Sequence, residues 1–298
     1  MANDLRNAAE VTAALARAGL DPSGLTPIGV RPRLGEYLRQ LWERRHFIWY
    51  DARQRTATKN SRQILGNVWL FLRPLLDASF YFVIFGLVLP VNRGVENFAA
   101  FLVVGVLLFR ATATSISSGS AILRNNKAMI RAFNFPRASI PISIVLQNAM
   151  TAVFTMIVMC AVIIVLPPHV IPGPTWLLIV PIFVLQTLLN LGICLITSRV
   201  GFHFPDATNV LAVLSRFLMY GSGVMFPIEK FVGAPAVAAV IEANPLYQII
   251  RIAREVLVYG TVPAIGSWLI VLAWVVALLV GGFVFFWWAE ESYGRELR

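Results

Sequence analysis

Residues 121–141 read AILRNNKAMIRAFNFPRASIP. The stretch holds Arg124, Lys127, Arg131 and Arg137 and no acid, and it joins two long apolar runs, 98–121 and 139–166. A cationic amphipathic turn between two membrane spans belongs at the cytoplasmic surface, where the distribution of Lys and Arg sets topology. There it can also meet a soluble partner.

Working outward, the apolar runs recur. A span needs about 20 mainly apolar residues, and six stretches qualify, at 68–90, 98–121, 139–166, 175–198, 208–227 and 264–288. The chain is 58% hydrophobic and 13% charged, with a mean hydropathy of +0.72. That is more apolar surface than one water-soluble core could bury. The expected fold is an all-α membrane protein with six transmembrane helices per chain. Its parts are a tail (1–32), an amphipathic interfacial helix and link (33–67), the six-span domain (68–288) and a second tail (289–298).

The cations orient this domain. Eleven Lys/Arg precede Val68 and the 122–138 loop adds four, whereas the connections at 91–97 and 167–174 hold only Arg93. Both termini are therefore expected in the cytoplasm. The net charge of +10 is then a topology signal and an attraction to lipid headgroups. No soluble domain exists to present a basic groove to nucleic acid. Cys160 and Cys194 fall inside apolar runs without metal-ligand spacing and read as small buried residues. The first 30 residues lack the apolar core of a cleavable signal.

Before the first span, Leu34, Tyr37, Leu38, Leu41, Trp42, Ile48, Trp49 and Ala52 recur at helical spacing, opposite Glu36, Arg39, Gln40, Glu43 and Arg44. Such a helix lies in the headgroup plane, either as a topology anchor or as a grip on a lipid-linked substrate. Pro74 must interrupt a backbone hydrogen bond of the first span, and Arg73 and Asp77 are spaced to pair on one face or to face a substrate. After the fifth span, residues 228–262 are expected outside as two short re-entrant helices. Asn244 and Pro245 start the second helix as N-cap and first residue, and Gly260 stops it. Such pieces are tolerated only where protein or water covers their backbone. The triplet Gly221–Ser222–Gly223, inside the fifth run, reads as a close-packing or hinge element.

Enzyme chemistry finds no site. His46, His169 and His203 sit on separate connections, so no metal centre is expected, and no G-x-S-x-G elbow occurs. A phosphate loop needs Lys directly after Gly, but Thr58, Asn126 and Glu229 precede the three lysines. No cofactor is expected on this chain, and any ATP and Mg2+ must be bound by a separate ATPase. An ion-coupled transporter would need mid-membrane acids and a repeat, and Asp77 is the nearest candidate.

Five segments in order now matter: the interfacial helix, LGNVWLFLRPLL (65–76), LRNNKAMIRAFNFPRASIP (123–141), FHFPDATNV (202–210) and MFPIEKF…NPLYQIIRIAREVL (225–257). Together they resemble the type-2 ABC exporter permeases that move lipid-linked polysaccharides such as O-antigen, teichoic acid and mycobacterial galactan, over residues 33–288. The resemblance implies a homodimer in a bacterial inner membrane, bound to two cytoplasmic ATPase subunits. In that scheme Arg124, Lys127, Met129, Arg131, Phe133, Phe135 and Arg137 form a coupling helix with apolar anchors in a cationic surround. A loop that only enforces topology is the alternative.

For the substrate, Trp69, Phe80, Tyr81, Phe217, Tyr220 and Phe226 are candidate channel aromatics, against ordinary lipid-facing packing. Arg44 and Arg45 could meet a polyprenyl diphosphate or simply anionic lipid. Asn244, Pro245, Tyr247 and Arg251 are candidates for an external gate. The expected function is ATP-driven export of a polyprenyl-diphosphate-linked glycan, galactan by preference because of the Ala- and Arg-leaning composition. The alternatives are an ABC-2 permease for a small drug or lipid, and a lipid-modifying membrane enzyme.

Overall fold

The computed structural model describes residues 31–61, 63–84, 97–133, 135–167, 169–225, 227 and 235–295. Within these, twelve α-helices follow one another. They are α1 (Leu34–Glu43), α2 (Arg45–Thr58), α3 (Trp69–Phe82), α4 (Phe98–Asn125), α5 (Lys127–Ala132), α6 (Ser139–Val165), α7 (Ile179–His203), α8 (Ala207–Gly221), α9 (Pro235–Glu242), α10 (Pro245–Leu257), α11 (Ile265–Trp288) and α12 (Glu290–Arg295). Four helical stretches, Phe98–Asn125, Ser139–Val165, Pro174–His203 and Ile265–Trp288, are long and apolar enough to cross a membrane. The chain is a multi-pass membrane protein. The other two expected runs are helical as α3 and α8, 14 and 15 residues long. At about 1.5 Å per residue, each described helix reaches some two-thirds of a bilayer core.

Helix α4 is the centre of the bundle. Leu102 to Phe109 are all buried without a break, because α7, α6, α8 and α10 pack around it. Small residues set the closest approaches. A Cβ on Gly192 of α7 would fall 2.5 Å from the Leu278 carbonyl carbon of α11, and one on Gly282 would fall 2.6 Å from the Gly192 oxygen. In an environment where lipid is as apolar as Leu, this backbone proximity supplies the packing energy.

The interfacial helix departs from its expected geometry. It breaks at Arg44, and α2 then runs parallel to the first half of α6. Ser143 Oγ donates to Asp51 Oδ2 at 2.7 Å, Gln147 Nε2 to the Arg55 carbonyl at 3.4 Å, and Thr56 Oγ1 meets Met150 Sδ at 3.6 Å. The polar face read from sequence stays exposed at Glu36, Arg39, Glu43 and Arg44, and it is the following turns of α2 that pair with a spanning helix. The apolar stripe also divides: Tyr37, Leu41, Ile48 and Ala52 are buried in protein, while Leu38, Trp42 and Trp49 remain exposed.

The Gly221–Gly223 triplet is a helix stop, not a hinge within a span. Ser222 Oγ donates to the Leu218 carbonyl at 2.6 Å, closing the last turn of α8, and Gly223 has φ of +61°, a conformation favouring glycine. Helix α10 begins as expected, with Asn244 Oδ1 accepting from Leu246 N at 2.9 Å and Pro245 in the first turn. Along it Tyr247, Gln248 and Arg254 are buried, since the helix packs against α4, α7 and α11.

Candidate functional site

The basic segment divides into an inner and an outer half. Helix α5 is a single six-residue helix with Ile130 buried, followed by extended chain at Phe133. Phe133 is 66% exposed, whereas Phe135 is 6% exposed and packs in a second core with Tyr37, Ile130, Phe286 and Tyr293. Arg124 donates to Thr208 Oγ1 at 2.6 Å, and Arg137 pairs with Glu290 at 3.4 Å. Phe135, Arg124 and Arg137 therefore face inward, where sequence placed them on a docking surface. Lys127, Arg131 and Phe133 project outward, with Met129 half-buried between them.

Beneath this outer face lies a polar hub. The Tyr37 hydroxyl donates to Glu290 Oε2 at 2.7 Å and accepts from Ala138 N at 3.0 Å. Glu290 Oε1 accepts from Arg137 N at 2.9 Å. Burial pushes the Glu290 carboxyl above its usual range, and burial together with the Glu290 charge pushes the Tyr37 phenol up. Three remote segments are joined there, namely α1, the entry to α6 and α12. Nothing in the sequence marked Glu290, because its partners lie 153 and 253 positions away.

Between α3, α4, α6 and α7 lies an open cavity of about 260 Å3. Its walls carry Lys59, Arg73 and Arg110 but one carboxylate, Asp77, with Thr114, Asn148, Thr151, Gln186 and Asn190 among the neutral polar groups. Asp77 pairs with Arg110 of α4, not with Arg73 as its spacing suggested. The Arg73 guanidinium lies over the Trp69 ring, 5.5 Å from its centroid. Helix geometry allowed the i,i+4 pair, but a second helix supplied a cation facing the same carboxylate. Asn190 is 6% exposed and its Oδ1 has no hydrogen-bond partner. Lys59 sits at the rim, and burial, then the Arg73 and Arg110 charges, push its ammonium below the usual lysine range.

At the opposite end of α4, Arg254 of α10 is 4% exposed. It donates to the carbonyls of Phe101, Gly223 and Val224 at 3.1, 2.9 and 2.8 Å, and its guanidinium stacks on Phe101 at 3.3 Å. The bonds to Gly223 and Val224 satisfy carbonyls left open where α8 stops, and the bond to Phe101 ties them to α4. Sequence reasoning chose Arg251, which forms an i,i+4 pair with Glu255 at 2.9 Å. Asn244 also donates to Ser222 Oγ at 3.1 Å, so the start of α10 is tied to the end of α8.

The described candidate aromatics fall in different surroundings. Trp69 lines the cavity, Phe80, Phe217 and Tyr220 are exposed on α3 and α8, and Phe226 and the Tyr81 side chain lie outside the described residues. Arg44 and Arg45 are exposed at the α1–α2 break, with Arg45 5.1 Å from the Trp42 ring centroid.

A multi-pass helical body with a basic segment between two of its spans fits a membrane permease. The ABC-2 type transporter family matches residues 54–258, and the chain belongs to it. Its relatives include the O-antigen export system permease protein RfbA of Myxococcus xanthus, 23% identical over 70% of this chain and 79% of the relative. RfbA of Klebsiella pneumoniae is 27% identical over 66% and 74%, and the polysialic acid transport protein KpsM of Escherichia coli is 25% identical over 66% and 75%.

Proposed function

We propose that this chain is the membrane permease of an ATP-driven exporter of polysaccharide. The observation that carries this reading is the run of relatives named for O-antigen and polysialic acid export, each matched over about two-thirds of this chain. The substrate is a polyprenyl-diphosphate-linked glycan, galactan-like by preference. Two copies of the chain form six-span halves in a bacterial inner membrane, with both termini cytoplasmic and α9 and α10 as re-entrant helices outside. ATP and Mg2+ bind two separate ATPase subunits. The outward half of the basic segment, Lys127, Arg131 and Phe133, is the surface those subunits grip, so that their closure rocks the attached spans as rigid bodies.

The test is ATP-dependent transfer of radiolabelled lipid-linked glycan in inverted vesicles containing the chain and its ATPase. Movement of glycan that stops when ATP is withheld is the expected result. ATP-dependent efflux of a small drug or phospholipid, with glycan left behind, would overturn the substrate assignment.

A further inference from the structure

The cavity among α3, α4, α6 and α7 has a composition that export of a neutral polymer does not explain. Ionisable groups at membrane depth are costly and persist where they have a partner or a task. Here Arg110 has Asp77, Arg73 of α3 adds a further cation to the same walls, and Lys59 of the link before α3 adds a third, all three side chains reaching the open side. The site thus carries a net charge of two positive. Beside them Asn148 and Gln186 each keep one amide N–H beyond their bonds to Ser118 and to the Leu108 carbonyl, so amide donors accompany the cations.

Size narrows the ligand. Water occupies about 30 Å3 per molecule in the liquid, so 260 Å3 has room for a hydrated phosphate or diphosphate group. The rim narrows it further. Trp69 and Arg73 continue into a groove with Gln63, Ile64 and Leu65, and Ile64 is fully exposed. Cations on the walls and apolar side chains next to them match an amphiphile with an anionic head. Arginine is suited to phosphate because its fork donates two parallel bonds.

We propose that this cavity binds the phosphate or diphosphate group of a lipid, with Lys59, Arg73 and Arg110 as its cationic ligands and the groove at Ile64 and Leu65 holding the start of the chain. The site deepens the export reading, which gives the substrate a diphosphate handle, and it displaces Arg44 and Arg45 as the recognition residues. Its test needs no ATPase and no transport, so it fails separately from that reading.

The experiment is titration of the purified permease with farnesyl diphosphate as probe. Arg73→Gln and Lys59→Gln should each weaken binding about tenfold or more, the scale of a lost charge-assisted bond. Asp77→Asn should tighten it, a sign that a merely structural defect would not give. Arg110→Gln is compared within the Asp77→Asn background, where no carboxylate is left unpaired, and should weaken binding there. Arg45→Gln should leave it unchanged. Competition by inorganic pyrophosphate would identify a free diphosphate as sufficient, and competition only by phosphatidylglycerol nanodiscs would identify a lipid headgroup as the source. Affinities within about twofold of one another for the Arg73, Lys59 and unaltered proteins, or loss on Arg45→Gln alone, would overturn the site.

Discussion

The hydroxyl of Tyr37 lies 2.7 Å from the carboxylate of Glu290, joining the first described helix to the last across 253 positions of chain. Because the same hydroxyl accepts from Ala138 N, the two residues also hold the segment that leads from α5 into α6. The hub thus ties α1 and α12 to the chain between α5 and α6.

Tyr37→Phe keeps the ring but removes a donor to Glu290 and an acceptor for Ala138. Leaving buried groups unsatisfied costs about 1–3 kcal/mol. The expected outcome is a lower melting temperature in detergent together with reduced stimulation of the partner ATPase; an unchanged melt would exclude the hub as a stabilising element.

Glu290 gives the stability a pH dependence. Its folded pKa is raised above the ordinary 4.5, chiefly by burial, so the folded state keeps a proton that the unfolded state releases first. The unfolded state binds fewer protons in that window, and stability falls as pH rises from about 4.5 through the folded pKa. Glu290→Gln should flatten this segment of the melting profile. A slope unaltered by the substitution would assign it to other groups.

Phe133 and Phe135 should behave oppositely, although they are two residues apart. Phe133→Asp, at a site 66% exposed, should leave folding intact and abolish co-purification with the ATPase. Phe135→Ala, at a site 6% exposed, should lose about 3–5 kcal/mol of stability. Retention of the ATPase by Phe133→Asp would move the docking surface elsewhere.

Arg254→Met removes three carbonyl partners from the end of α8 and the start of α4. A loss of about 3–5 kcal/mol is expected, the scale for breaking a buried charged network, read as a drop in melting temperature. Arg254→Lys should recover part of it, since an ammonium keeps the charge but not the fork.

Glycine positions offer a paired control. Gly192→Val should abolish folded yield, because the added carbons would overlap the α11 backbone. Gly221→Ala, where a Cβ meets nothing within 4 Å, should be neutral or stabilising by some tenths of a kcal/mol up to about 1. Equal yields by size exclusion would contradict the α7–α11 packing.

Taken alone, the sequence determined the membrane class, the place of the basic segment between two spans, and the Asn244–Pro245 start of α10. Each is a local property, readable from apolar length, charge sign or a cap within four residues. Tertiary structure alone decided which of those charges and aromatics do what. It turned Phe135 and Arg137 inward, gave Asp77 to Arg110, laid α2 along α6, and exposed the roles of Glu290 and Arg254. The physical reason is that burial and ion pairing depend on which helix faces which. Helical periodicity fixes the face a residue occupies, but only packing between distant segments supplies the partner that face will meet.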